Sequence, residues 1–190
     1  LPLHELCYYA SYYEPMNQLG LCFKAWVVHP TGNQQDCLGM TPLHILACST
    51  IQRTRGNHTG LYRILVTAYP ENLTTTDRWG ALPFLYAIWG DLPWSVIGFL
   101  VLSYQQYYPI YKLNWENMIL TLCKAGVSID TIRVLRHARD TFSSNQSINW
   151  NALLTKLSQP ESILGYSVSE ETFVFLVQYC IEDRMKALRI

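Results

Sequence analysis

The fold that this sequence predicts is all-α, a solenoid of about five stacked antiparallel helix pairs, and three observations predict it. Prolines recur at 2, 42 and 83, spacings of 40 and 41, each inside a similar apolar run: Leu1-Pro2-Leu3-His4-Glu5-Leu6, Thr41-Pro42-Leu43-His44-Ile45-Leu46-Ala47 and Leu82-Pro83-Phe84-Leu85-Tyr86-Ala87. A second series keeps step, His29-Pro30, Tyr69-Pro70 and Tyr108-Pro109, spaced 40 and 39. An Asp and a Gly precede the first-series motif in two units, Asp36-Cys37-Leu38-Gly39 and Asp77-Arg78-Trp79-Gly80. Markers in phase at such a period are the signature of a repeat architecture.

Each unit reads as a turn, a short helix, a loop and a second helix. Asp and Gly form the turn, with Gly free to adopt positive φ. Proline opens the first helix, where its missing N–H would have no partner anyway. An X-Pro step ends the second helix, because the residue before proline is pushed out of the helical region. The second helices are expected over Leu19 to Val28, Leu61 to Tyr69 (opened by His58 or Thr59) and Trp94 to Tyr104 (opened by Pro93). Two helices cannot bury their shared face alone, so the units must stack.

Thr41-Pro42-Leu43-His44-Ile45-Leu46-Ala47 after Asp36 and Gly39 resembles the ankyrin-repeat signature T-P-L-H-x-A. The resemblance extends more weakly to the first and third units, covering about residues 1–109. A period near 40 exceeds the family's usual 33, which places an insertion at Ile51 to Asn57. The resemblance implies that Pro42, Leu43, Gly39 and Gly80 are structural. It also implies that His4 and His44 bridge backbone groups of their own and the neighbouring unit rather than act as catalysts. Turn positions and residues closing the first helix line a concave binding surface in this family. Carried over, these are Cys37, Leu38, Met40 and Ser49 in the second unit, and Arg78, Trp79, Ala81, Trp89 and Gly90 in the third.

Residues 110–190 lose the motif but keep a period. Leu113-Asn114-Trp115-Glu116-Asn117 is echoed 35 residues later by Ile148-Asn149-Trp150-Asn151, each followed by an apolar helical run. Gly126 and Ser128 read as a C-cap and the next N-cap. Ile129, Ile132, Leu135, Ala138 and Phe142 share one helix face, and Ser167 to Glu170 resembles a capping box. Two degenerate helix pairs continuing the array are expected here, with a separate small helical domain as the alternative.

Composition narrows the function. The 190 residues are 49% hydrophobic and 15% charged, with 14 Lys+Arg against 14 Asp+Glu. Balanced charge gives neither the footprint of a nucleic-acid binder nor a membrane-surface signal. The uncharged stretch Leu92 to Tyr111 has too short an apolar centre to span a bilayer and reads as a core helix. Six scattered cysteines read as buried thiols, favouring a cytoplasmic chain, although sequons stand at Asn57, Asn72 and Asn145. The start at Leu1 reads as that of a fragment or mature piece.

No C-x2-C or H-x3-H metal spacing and no glycine-rich phosphate loop occurs, so no metal, no cofactor and no catalytic residue is expected. Arg133, Arg136 and Arg139, with Asp130 and Asp140 on the same helix, read as a solvated face. Trp and Arg are enriched at interface hot spots, so Leu38, Met40, Ser49, Arg78, Trp79 and Trp89 are the candidate partner-binding residues. The competing reading of Trp79 and Trp89 is that they fill gaps left by long loops. The function expected is a non-catalytic protein–protein interaction scaffold, a monomeric array or part of a larger chain. The alternative is the targeting or regulatory arm of a larger enzyme or membrane protein.

Overall fold

A computed structural model describes residues 2–10, 24–25, 27–28, 32–48, 59–159 and 168–188. Every regular element among them is helical. The expected helix at Leu19 to Val28 falls mostly outside these residues, and the His29-Pro30 step and the Ile51 to Asn57 insertion wholly outside. The chain divides into two compact units, Leu1–Leu113 and Asn114–Ile190.

The first unit holds α1 (Pro2–Tyr9), α2 (Pro42–Ala47), α3 (Thr59–Ala68), a 3-10 turn at Pro70–Leu73, α4 (Pro83–Trp89) and α5 (Trp94–Tyr107). Prolines stand at the first position of α2 and α4. α3 ends before Tyr69-Pro70 and α5 before Tyr108-Pro109. A six-residue helix has no stability alone; α2 persists because Pro42, Leu43, His44, Leu46 and Ala47 are all buried. It packs between α1 and α4, while α3 covers α2, α5 covers α4, and α3 meets α5. The Tyr62 hydroxyl donates to the Leu46 carbonyl at 3.1 Å, tying α3 to the end of α2.

α5 supplies the core of the uncharged stretch through Val96, Ile97, Leu100, Val101 and Tyr104. No helix among the described residues is long and apolar enough to cross a membrane. Asn72 is buried in the 3-10 turn, which closes that sequon in the folded chain, whereas Asn145 is exposed.

α4 ends in a Schellman motif. Leu92 N–H donates to the Ala87 carbonyl at 2.9 Å and Asp91 N–H to that of Ile88 at 3.0 Å, with Leu92 buried beneath. Asp91 takes the left-handed position, φ 54°, where glycine is usual.

The second unit holds α6 (Trp115–Lys124), α7 (Ile129–Phe142), α8 (Trp150–Leu157) and α9 (Glu170–Ala187). α6 pairs with α7 and α8 with α9, while α6 packs on α8 and α7 on α9. The 35-residue echo has a structural meaning. Asn114 and Asn149 each accept an N-terminal amide, from Asn117 and Ala152, and Trp115 and Trp150 both begin their helices buried. Gly126, φ 63°, closes α6, and Ser128 caps α7 by accepting from Thr131 N–H. The expected box at Ser167 to Glu170 is corrected: Ser169 is the cap, accepting from Thr172 N–H, because the helix starts at Glu170.

The arginine stripe is also corrected. Arg139 is only 3% exposed. Its guanidinium pairs with the Asp183 carboxylate and donates to the Tyr179 hydroxyl at 3.1 Å and to the Gln146 carbonyl at 2.6 Å. Asp183 also accepts from Trp150 Nε1 at 2.8 Å. Arg136 pairs with Glu182 and lies 4.4 Å over the Tyr179 ring. Arg133, paired with Asp130, is the member that remains solvated. The charges face α9 because Arg139 falls seven residues after the buried Ile132 and shares its face.

Candidate functional site

The candidate surface is built on two turns that repeat atom for atom. In the first, Asp36 N–H donates to the Met40 carbonyl at 2.9 Å, and Gly39 N–H to the Asp36 carbonyl at 3.0 Å. In the second, Asp77 N–H donates to the Ala81 carbonyl at 3.1 Å, and Gly80 N–H to that of Asp77 at 3.0 Å. One carboxylate oxygen of each Asp gathers two amides, those of Leu38 and Met40 in one turn and of Trp79 and Ala81 in the other. Gly39 and Gly80 sit at φ 76° and 78°. Arg78 N–H donates to the Leu38 carbonyl at 3.1 Å, so the turns bond to each other, and a side chain at 39 would meet Arg78 N at 3.0 Å. Gln35 Nε2 donates to the carbonyls of Gly39 and Thr76, adding a second tie.

The two histidines hold these turns from below. His4 Nε2 donates to the Met40 carbonyl at 2.9 Å, and His44 Nε2 to the Ala81 carbonyl at 3.1 Å. Each therefore reaches the residue that follows the next turn glycine. His44 Nδ1 accepts from Thr41 N–H at 3.1 Å, which fixes the neutral Nε2–H tautomer. Burial lowers the pKa of both rings, the bonds to Met40 and Ala81 opposing only in part. Leu85 occupies the corresponding place in the third unit and is packed as core.

The same geometry bears on catalysis. Cys48 lies at the end of α2 near His44, but both nitrogens of that ring are committed to backbone and hydroxyl partners. Cys48 is exposed as a residue, yet desolvation, with help from the Asp77 carboxylate, pushes its thiol up to about 12, far from a ready nucleophile. Burial likewise raises the Cys7 thiol. Among the described residues no group of three or more His, Cys, Asp or Glu side chains is placed to hold a metal.

What the surface offers instead is aromatic. Trp79 is 52% exposed and Trp89 46%, so neither fills a gap in the core. The Arg78 guanidinium lies 4.2 Å over the Trp79 ring. Tyr86 stacks on Trp89 with centroids 6.0 Å apart and meets His44 edge-on at 5.8 Å. Asp77 joins these groups: one oxygen holds the Trp79 amide, and the other accepts the Tyr86 hydroxyl at 2.5 Å. Burial, then that bond, push the Tyr86 hydroxyl pKa up. Tyr86 was not among the candidates read from the sequence, although its place three residues before Trp89 and nine after Asp77 puts it between them.

The remaining candidates separate. Leu38 is half-buried beside the exposed Cys37. Met40 is corrected: at 6% exposure its side chain is core, while its carbonyl accepts from His4. Ala81, at the equivalent place in the second turn, is likewise buried. Gly90 is half-buried, and a side chain there would meet the Tyr86 carbonyl at 3.0 Å and the Ala47 carbonyl at 3.3 Å. Ser49 lies outside the described residues.

Compared with family models, with curated proteins and with solved structures, the chain matches none.

Proposed function

We propose that this chain is an ankyrin-like array acting as a non-catalytic scaffold in the cytoplasm, and that it holds a partner protein on the face formed by Leu38, Arg78, Trp79 and Trp89. The observation that carries the reading is the exposure of two tryptophans whose surroundings are already ordered. Arg78 covers Trp79, Tyr86 stacks on Trp89, and Asp77 fixes both. Large rigid rings lose little conformational freedom on binding and dominate interface energetics. The repeated turn and histidine wiring supports the ankyrin-like part, since each module ties its neighbour through equivalent atoms. His44 in a structural role and a Cys48 thiol held protonated favour a scaffold over an enzyme.

The test is affinity capture with the wild-type protein and with a Trp79→Ala/Trp89→Ala variant of matched helix content. A specific partner retained by the first and lost by the second supports the reading. Equal recovery by both overturns it.

A further inference from the structure

Among the described residues, the proposed face carries one cation, Arg78, with which no carboxylate forms an ion pair. Arg78 is exposed, and its guanidinium carbon lies 4.2 Å from the Trp79 ring centroid. Asp77, its sequence neighbour, is buried and spends both oxygens on the Trp79 and Ala81 amides and the Tyr86 hydroxyl. From residue 64 to 111 Arg78 is the only Lys or Arg.

We propose that Arg78 and Trp79 together recognise an acidic protein segment, with an Asp or Glu carboxylate seated on the guanidinium edge and an adjacent aromatic or prolyl side chain against the Trp79 indole. The proposal rests on the scaffold reading above and adds the partner's chemistry. A guanidinium presents a planar fork that matches a carboxylate in two parallel hydrogen bonds. Contact with the indole restricts its rotamers, so less is lost when the anion arrives. The exposed rings beside it reward apolar neighbours of the acid rather than an isolated charge. A single-stranded nucleic acid also combines rings and anions, but its backbone repeats a phosphate at every nucleotide. Its affinity grows with the number of cations that track it, and among the described residues of the two turns and α4 Arg78 is the one Lys or Arg.

The experiment is selection of a fully randomised displayed dodecapeptide library on the whole chain, followed by anisotropy titrations of the enriched peptides. The proposal expects Asp or Glu next to Trp, Tyr, Phe or Pro in those peptides. Exchanging the acid for Asn or Gln weakens binding about tenfold, and Arg78→Gln, checked by circular dichroism, erases the difference between acid and amide peptides. Enrichment of neutral or basic peptides overturns the proposal, as does equal binding of acid and amide forms. So does tighter binding of oligothymidylate than of any peptide. Loss of binding in Trp79→Ala without any dependence on the acid leaves the scaffold reading standing and removes only the carboxylate. Indifference to both Trp79→Ala and Arg78→Gln removes both.

Discussion

The Tyr86 hydroxyl donates to Asp77 across 2.5 Å, linking the helix that carries Trp89 to the turn that carries Trp79. The acceptor is charged, and such bonds contribute about 1.5–3 kcal/mol. Tyr86→Phe keeps the ring and its stack on Trp89 but leaves that carboxylate oxygen without its donor. Urea unfolding should show a loss of about 1–2 kcal/mol, together with weaker partner binding. An unchanged midpoint would mean that the hydroxyl bond contributes nothing.

His44 is a structural linchpin with a definite pH signature. Its folded pKa, like that of His4, lies below the ordinary 6.5, chiefly because both rings are buried. The unfolded chain therefore binds more protons in the interval below 6.5, and stability rises with pH there. It should be fully present above 6.5, fall as pH drops below that value, and level off once the folded rings are protonated. His44→Leu removes part of this slope and costs about 1–3 kcal/mol at neutral pH, since it strips a partner from buried Thr41 N–H. Thermal melts from pH 7.5 to 5 check both; a slope unaltered by the substitution would contradict the assignment.

In the second unit, Arg139 pairs with Asp183 and, at 3.2 Å, with Asp140. Arg139→Met leaves the Asp183 carboxylate without its guanidinium and should cost about 3–5 kcal/mol. Asp183→Leu should cost less, since Asp140 still pairs with Arg139, and the double variant should cost less than the sum. A double-mutant cycle in guanidinium reads this directly. Additive losses would show that the two groups do not couple. Acid should add a later loss: burial opposes the charge on Asp140, but Lys186, Tyr179 and Arg139 hold its carboxyl below 3.8 overall, so its contribution vanishes as pH falls below that value.

Two backbone sites at positive φ respond in opposite ways to opposite exchanges, one introducing glycine and one removing it. Asp91 occupies φ 54° in the turn after α4, and Asp91→Gly should raise stability by about 0.5–1 kcal/mol. Gly39 sits at φ 76° against Arg78 N, so Gly39→Ala should lower stability by more than about 1 kcal/mol. Midpoints moving in the same direction for both would refute this account of the turns.

The helical class was legible because proline, aspartate and glycine act locally: Pro42 and Pro83 begin helices wherever the chain permits, and Gly39 and Gly80 take positive φ. Trp79 and Arg78 were legible as candidates from residue type. Met40 was misread because residue type does not say which turn positions face inward, and only the fold buries the residue after each turn glycine, Met40 and Ala81. Arg139 was misread because charge outweighed phase. Its spacing from Ile132 and Leu135 already put it on the buried face, but the acid that receives it, Asp183, is 44 residues away. Tyr86 went unremarked for a similar reason, since its role depends on a carboxylate in the preceding turn.

The central claim is that the ordered tryptophans, and not the opposite helices, meet the partner. A photo-crosslinking side chain placed at 79, at 89 or at the exposed Leu102 of α5 tests it most directly. Crosslinks to the partner from 79 and 89 but not from 102, competed away by unmodified protein, are the predicted result. Crosslinks from 102 alone, or equally from all three positions, would contradict it.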